Sequence, residues 1–127
     1  MDQQVPCLPL QADFARAFAE DWIAAWNSHD LELILTHYEE DVELRSPVAV
    51  KLLQGDGRVR GKAALREYFE LGLQAYPHLR FDLVETLWGI ETIVISYVNN
   101  VRGSKTAEVM LMSERGKIRG VWANYNQ

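Results

Sequence analysis

The chain has 127 residues, 48% of them hydrophobic and 24% charged, with a formal net charge of −5. That length suits one core, the composition suits a water-exposed fold, and the acidic balance with scattered Lys and Arg argues against nucleic-acid binding, which needs clustered cations on phosphate. Cys7 is the only cysteine, so no intrachain disulfide can form, and a cytoplasmic location is the expectation. No apolar run approaches the ~18 residues of a membrane span, and the start of the chain lacks the basic-then-apolar pattern of a signal peptide.

In chain order, residues 1–11 include Pro6, Cys7 and Pro9 and read as a flexible leading segment. A single domain is expected over 12–127. From about residue 11 to 28, Phe14, Phe18, Trp22 and Trp26 recur at every fourth position beside Ala15, Ala19 and Ile23, which predicts an amphipathic helix with an aromatic buried face. Asn27, Ser28 and Asp30 break it, and Asp30 is the expected N-cap of a second helix over 31–40, with Leu31, Ile34, Leu35 and Tyr38 on one face. A short alternating strand follows in VELRSP, ended by Pro47. Residues 48–60, with Gly55, Asp56 and Gly57, read as a loop holding at most a two- or three-residue strand near Val59. Arg58, Arg60 and Lys62 form a small basic cluster there, read as solvated. A third helix is expected over 61–76, stopped by Pro77.

Beyond Leu79 the period changes from 3.6 to 2. Strands are predicted over 79–88, 92–102, 105–113 and 117–125, with separators short enough for antiparallel hairpins. The fold class is therefore α+β: three N-terminal helices packed on a curved antiparallel sheet that ends in a four-strand meander.

Four segments, WIAAWNSHDLELI, YEEDVELRSP, GKAALREYFELGL and GKIRGVWANY, together resemble the SnoaL-like and ketosteroid-isomerase-like group of the NTF2-like superfamily, over about residues 12–126. The resemblance implies a cone, a bent sheet around a long helix with an apolar pocket between them, and commonly a homodimer through the outer sheet face. Members include isomerases, cyclases, hydrolases, dehydratases and proteins that only bind, so the pocket residues have to decide the chemistry.

Set on the ketosteroid-isomerase pattern, the chain departs from it. Ser46 stands where the resemblance places the carboxylate base, and a serine without an adjacent base abstracts a carbon-bound proton poorly. Trp22 stands where the oxyanion tyrosine is expected, with one N–H to donate. Glu108 stands where a protonated Asp is expected and keeps the carboxyl group. Strand periodicity alone allows Glu108 to face solvent, with Ala107, Val109 and Leu111 inward; the resemblance turns Glu108 inward, where desolvation raises its pKa. The same register turns Tyr97 and Asn99 inward, with Asn99 bonding Glu108, and Met110 and Tyr125 with them. Tyr38 is either a core tyrosine with a satisfied hydroxyl or a ligand contact. Trp22, Trp26 and Phe69 read as wall.

His29, His37 and His78 read as surface residues, His37 on the outer side of the second helix. No pair of them has metal-ligand spacing with a carboxylate, and neither a metal nor a cofactor is expected. The expected ligand is a small apolar molecule with polar groups. Glu108 is the candidate acid/base and Tyr38 its catalytic partner. Trp22, Trp26, Ser46, Phe69, Tyr97, Asn99, Met110 and Tyr125 are the candidate binding residues. The reaction type is an isomerase, hydratase or cyclase step, and the alternative is a non-catalytic ligand-binding or dimeric interaction module.

Overall fold

The computed structural model describes residues 12–126; the leading segment with Cys7, read above as flexible, lies outside them. The elements are α1 (Ala12–Ser28), α2 (Leu31–Leu35), β1 (Tyr38–Arg45), α3 (Pro47–Leu53), β2 (Arg58–Arg60), α4 (Lys62–Ala75), β3 (Phe81–Gly89), β4 (Thr92–Asn99), β5 (Lys105–Met112) and β6 (Ile118–Tyr125). The strands form one sheet in the order β2-β1-β6-β5-β4-β3. All neighbours are antiparallel except β1 and β6, which run parallel. Helices cover one face, so the α+β layout expected from the sequence is the one observed.

The core follows from the aromatic repeat of α1. Phe18, Trp22 and Trp26 are buried on the side that meets the sheet. Trp22 stacks on Phe81 at 5.8 Å between ring centroids, and Phe81 stacks on Tyr97 at 4.1 Å. These contacts carry the long helix across the concave face, and large aromatics dominate the burial. Irregularities in register fall between Leu83 and Glu85 of β3 and between Leu111 and Met112 of β5. Such bulges bend a strand and sharpen its twist, which the wrapped sheet requires.

Three expectations are corrected. The second helix stops at Leu35 rather than 40. Asp30 does cap it, accepting from Leu33 N at 3.2 Å, but Glu39, Glu40 and Asp41 would have put negative charge at the carbonyl end of a helix. Tyr38 instead opens β1, where the His37 carbonyl accepts from Ile118 N. His37 accordingly lies past the helix, half-buried, its ring edge-on to Phe18 at 5.5 Å.

The stretch read as a loop holds α3. Ser46 is its N-cap, accepting from Val48 N at 3.1 Å, and Pro47 is its first residue. Proline at that position loses no helical bond, so it starts this helix while ending the strand before it. The third correction is the count: four helices and six strands among the described residues, with β2 (Arg58–Arg60) matching the short strand foreseen near Val59.

Candidate functional site

A cavity of about 240 Å³ opens between α1, α3, α4 and the concave sheet. Its wall contains nine aromatic side chains among 23 residues, so its main chemistry is flat apolar surface. The aromatics hold one another in place: Trp26 meets Phe69 edge-on at 4.7 Å and Tyr38 meets Phe69 edge-on at 5.4 Å.

Glu108 faces this cavity. It is only 8% exposed. In the β4–β5 ladder Ile95 lies opposite Glu108 and Tyr97 opposite Thr106. Tyr97 and Glu108 are therefore diagonal neighbours on one face, within reach of a long side chain. The Tyr97 hydroxyl donates to Glu108 Oε2 at 2.7 Å. Removal from water pushes the Glu108 carboxyl up to about 7, against the opposing pull of the Tyr97 bond. No cation offsets that desolvation, so the proton is held near neutral pH. Burial likewise raises Tyr97 well above the ordinary tyrosine range, with the Glu108 charge adding to it.

Asn99 does not bond Glu108. Lys105 is opposite Val98, so Asn99 falls beside Ser104, two diagonal steps from Glu108. Its amide donates to Ser104 Oγ at 2.9 Å and Thr106 Oγ1 at 3.2 Å, and its carbonyl accepts from Val101 N and Arg102 N. Asn99 borders the cavity and shapes the β4–β5 turn. Ser46 also borders it, its hydroxyl oxygen accepting the capping bond from Val48 N.

Tyr38 reaches the cavity from β1. Trp22 Nε1 donates to the Tyr38 hydroxyl oxygen at 3.0 Å. The hydroxyl proton has no acceptor among the hydrogen bonds of the described residues. Burial raises the Tyr38 pKa strongly, helped by Glu108 and opposed by the indole N–H groups of Trp22 and Trp26. Trp26 Nε1 is buried and makes no hydrogen bond of ordinary geometry.

Trp22, Trp26, Phe69, Tyr97, Glu108 and Tyr125 all line the cavity with Tyr38, Ser46 and Asn99, whereas Met110 does not. Met110 is fully buried, packed in the sheet–helix core beyond the cavity's end. Sequence reasoning missed Tyr68, Tyr76 and Phe81 as lining residues, and missed Lys51 because α3 was not foreseen. The spacing of Leu65, Tyr68 and Phe69 on α4 was the available signal for Tyr68, whose hydroxyl burial pushes up to about 12. No group of three or more His, Cys, Asp or Glu able to hold a metal occurs among the described residues. No helix among them is long and apolar enough to cross a membrane.

An open sheet wrapped on a long helix around an aromatic cavity defines the NTF2-like class of α+β cones. The chain belongs to the SnoaL-like domain family, whose sequence model matches residues 19–120. It is similar to a SnoaL-like protein of unknown function from Burkholderia thailandensis, at 33% identity and a TM-score of 0.89, covering 94% of this chain and 99% of that one. A proposed ketosteroid isomerase from Kribbella flavida shares the fold at 17% identity and a TM-score of 0.69, covering 91% of this chain and 79% of that one. TerC, co-crystallised with polyporic acid, shares it at 18% identity and a TM-score of 0.73, covering 89% and 92%. No curated protein matches the chain.

Proposed function

We propose that the chain binds a small, mostly apolar molecule in the aromatic cavity and moves a proton on it with Glu108, in an isomerase, hydratase or cyclase-type step. The observation that carries this reading is a buried carboxyl group facing the cavity, bonded by one tyrosine and shifted to about 7. A group with that pKa is present in both protonation states at neutral pH, which general acid–base catalysis requires. Tyr38 supplies the second role. Its oxygen already accepts from Trp22, so its proton is available to a ligand oxygen, where it would stabilise developing negative charge. No resident cofactor is needed for this chemistry. The polyporic acid held by TerC is in keeping with a small-molecule ligand.

The test uses 5-nitrobenzisoxazole, a planar substrate whose ring opens when a base takes the proton from C3 and the N–O bond breaks to give a phenolate. The wild-type protein is expected to accelerate the opening with a rate that rises with pH through about 7. Glu108→Gln is expected to lower the rate by about 100-fold. An unchanged rate in that variant would remove the acid/base role.

A second reading, a non-catalytic binding module, is favoured by Ser46 and Trp22, which leave the expected base and oxyanion-tyrosine positions without those groups. It predicts ligand binding that Glu108→Gln leaves intact and no turnover in either protein. We also infer a cytoplasmic homodimer. The pairing surface is the outer sheet face, where Leu87, Val94, Val109 and Trp122 form one cross-strand apolar row, exposed or half-buried. Sedimentation velocity of the wild type and Val109→Asp checks this: the variant is expected to sediment as a monomer.

A further inference from the structure

We infer that the cavity's ligand is an organic acid: a flat apolar ring system that enters the aromatic chamber and leaves an ionised group at the mouth, between Lys51 and Arg102. This rests on the reading of the cavity as a small-molecule site and adds the charge and orientation of its occupant.

Four lining residues are exposed and so mark the mouth: Pro47, Lys51, Val101 and Arg102. Two are apolar and two are cations. The one other charged residue in the lining is Glu108, which is buried. The mouth therefore carries two positive charges and no carboxylate, in a chain whose net charge is −5. Acidic partners elsewhere take up Arg45, Arg60, Lys62, Arg66, Arg80, Arg115 and Arg119. Among the described residues Lys51 and Arg102 have no such partner, and neither do Arg58, Lys105 and Lys117, but only Lys51 and Arg102 of these five line the cavity.

The two cations come from different elements, and each is held by local structure. Lys51 sits one turn into α3, whose start is fixed by the Ser46 cap. Arg102 sits in the β4–β5 turn, where its backbone N–H and that of Val101 donate to Asn99 Oδ1. The two polar residues expected from sequence to touch a ligand, Ser46 and Asn99, thus position the two cations that rim the cavity. An ammonium on one side and a planar guanidinium on the other suit a carboxylate or similar oxyanion. A neutral apolar ligand would gain nothing from either.

Two fluorescent probes with the same rings test the charge: 8-anilinonaphthalene-1-sulfonate and N-phenyl-1-naphthylamine, which lacks the sulfonate. The anion is expected to bind about three- to tenfold more tightly than the neutral probe, the range for two partly exposed charge contacts. The gap is expected to close in Lys51→Gln/Arg102→Gln and to narrow at high salt. Equal affinities for the two probes, or a gap that survives the double substitution, would overturn the proposal. Ala123→Phe, which fills the cavity from β6, separates the two levels. If it abolishes binding of both probes, the cavity is the site and the charge result stands by itself. If both probes bind Ala123→Phe as they bind the wild type, the small-molecule reading fails and this inference with it.

Discussion

Two glutamates are buried in this fold, and their surroundings drive them in opposite directions. Glu39 on β1 is 7% exposed and Glu108 on β5 is 8% exposed. Glu39 accepts from Ser113 Oγ at 2.5 Å and from Arg115 Nε at 3.2 Å, with a second guanidinium bond beside it. Those bonds hold its carboxyl down at about 2. Glu108 has one neutral hydroxyl donor and no cation, and lies at about 7. Similar loss of accessible surface therefore does not set the charge state: desolvation dominates at Glu108, deep beside the cavity, whereas the bonds from Ser113 and a well-exposed Arg115 dominate at Glu39 near the surface. Glu39 ties the β5–β6 hairpin to the start of β1. Glu108 is left to a cavity, as a group able to exchange protons has to be.

The largest effect that sharpens this contrast is on stability against pH. Because Glu108 is raised from an unfolded value of 4.5 to about 7, its contribution is fully present below pH 4.5. It is lost as pH rises to about 7 and is constant above that. The loss is about 3 kcal/mol. Glu108→Gln is expected to flatten that slope in urea titrations taken from pH 4 to 8, and a slope equal to that of the wild type would show that the carboxyl is not desolvated.

Next comes Tyr97→Phe. It removes the one bond that lowers the Glu108 pKa, so a carbon-13 NMR titration should place the carboxyl above about 7. Stability at pH 7 is expected to fall by about 1–2 kcal/mol. A downward shift would mean that another donor holds the carboxylate.

The smallest effect belongs to Glu39, because Arg115 is well exposed. Its stabilisation is present above pH 4.5 and is lost as pH falls toward 2. Glu39→Gln is expected to cost about 1 kcal/mol at pH 7 and less at pH 2 to 3. Equal losses at both pH values would assign the effect to packing.

The contrast also explains what could be read before the structure was in hand. The inward face of β5 followed from period 2 together with family register, and Glu108, Met110 and Tyr97 were placed on the correct face of their strands. Their partners were not legible. Which hydroxyl meets Glu108 depends on a ladder register of one diagonal step, which brought Tyr97 to Glu108 and carried Asn99 to Ser104 and Thr106. Met110 shares a face with Glu108 but lies farther along β5, fully buried in the hydrophobic core, so facing inward was not enough to line a cavity. Nothing local marked Glu39 for burial, since its neighbours Glu40 and Asp41 are exposed and its partner is 76 residues away.

By itself, the sequence determined the α+β class, the long aromatic helix and the meander, because these rest on periodicity, turn chemistry and residue type, all of which are local; the inward carboxyl needed the family register as well. The tertiary structure decided that Tyr38 belongs to a strand, that Ser46 and Asn99 brace the cavity mouth, and that two buried glutamates are shifted in opposite directions. Each of those outcomes depends on which distant strand or side chain arrives opposite, and the free energy of a buried polar group is set by that partner.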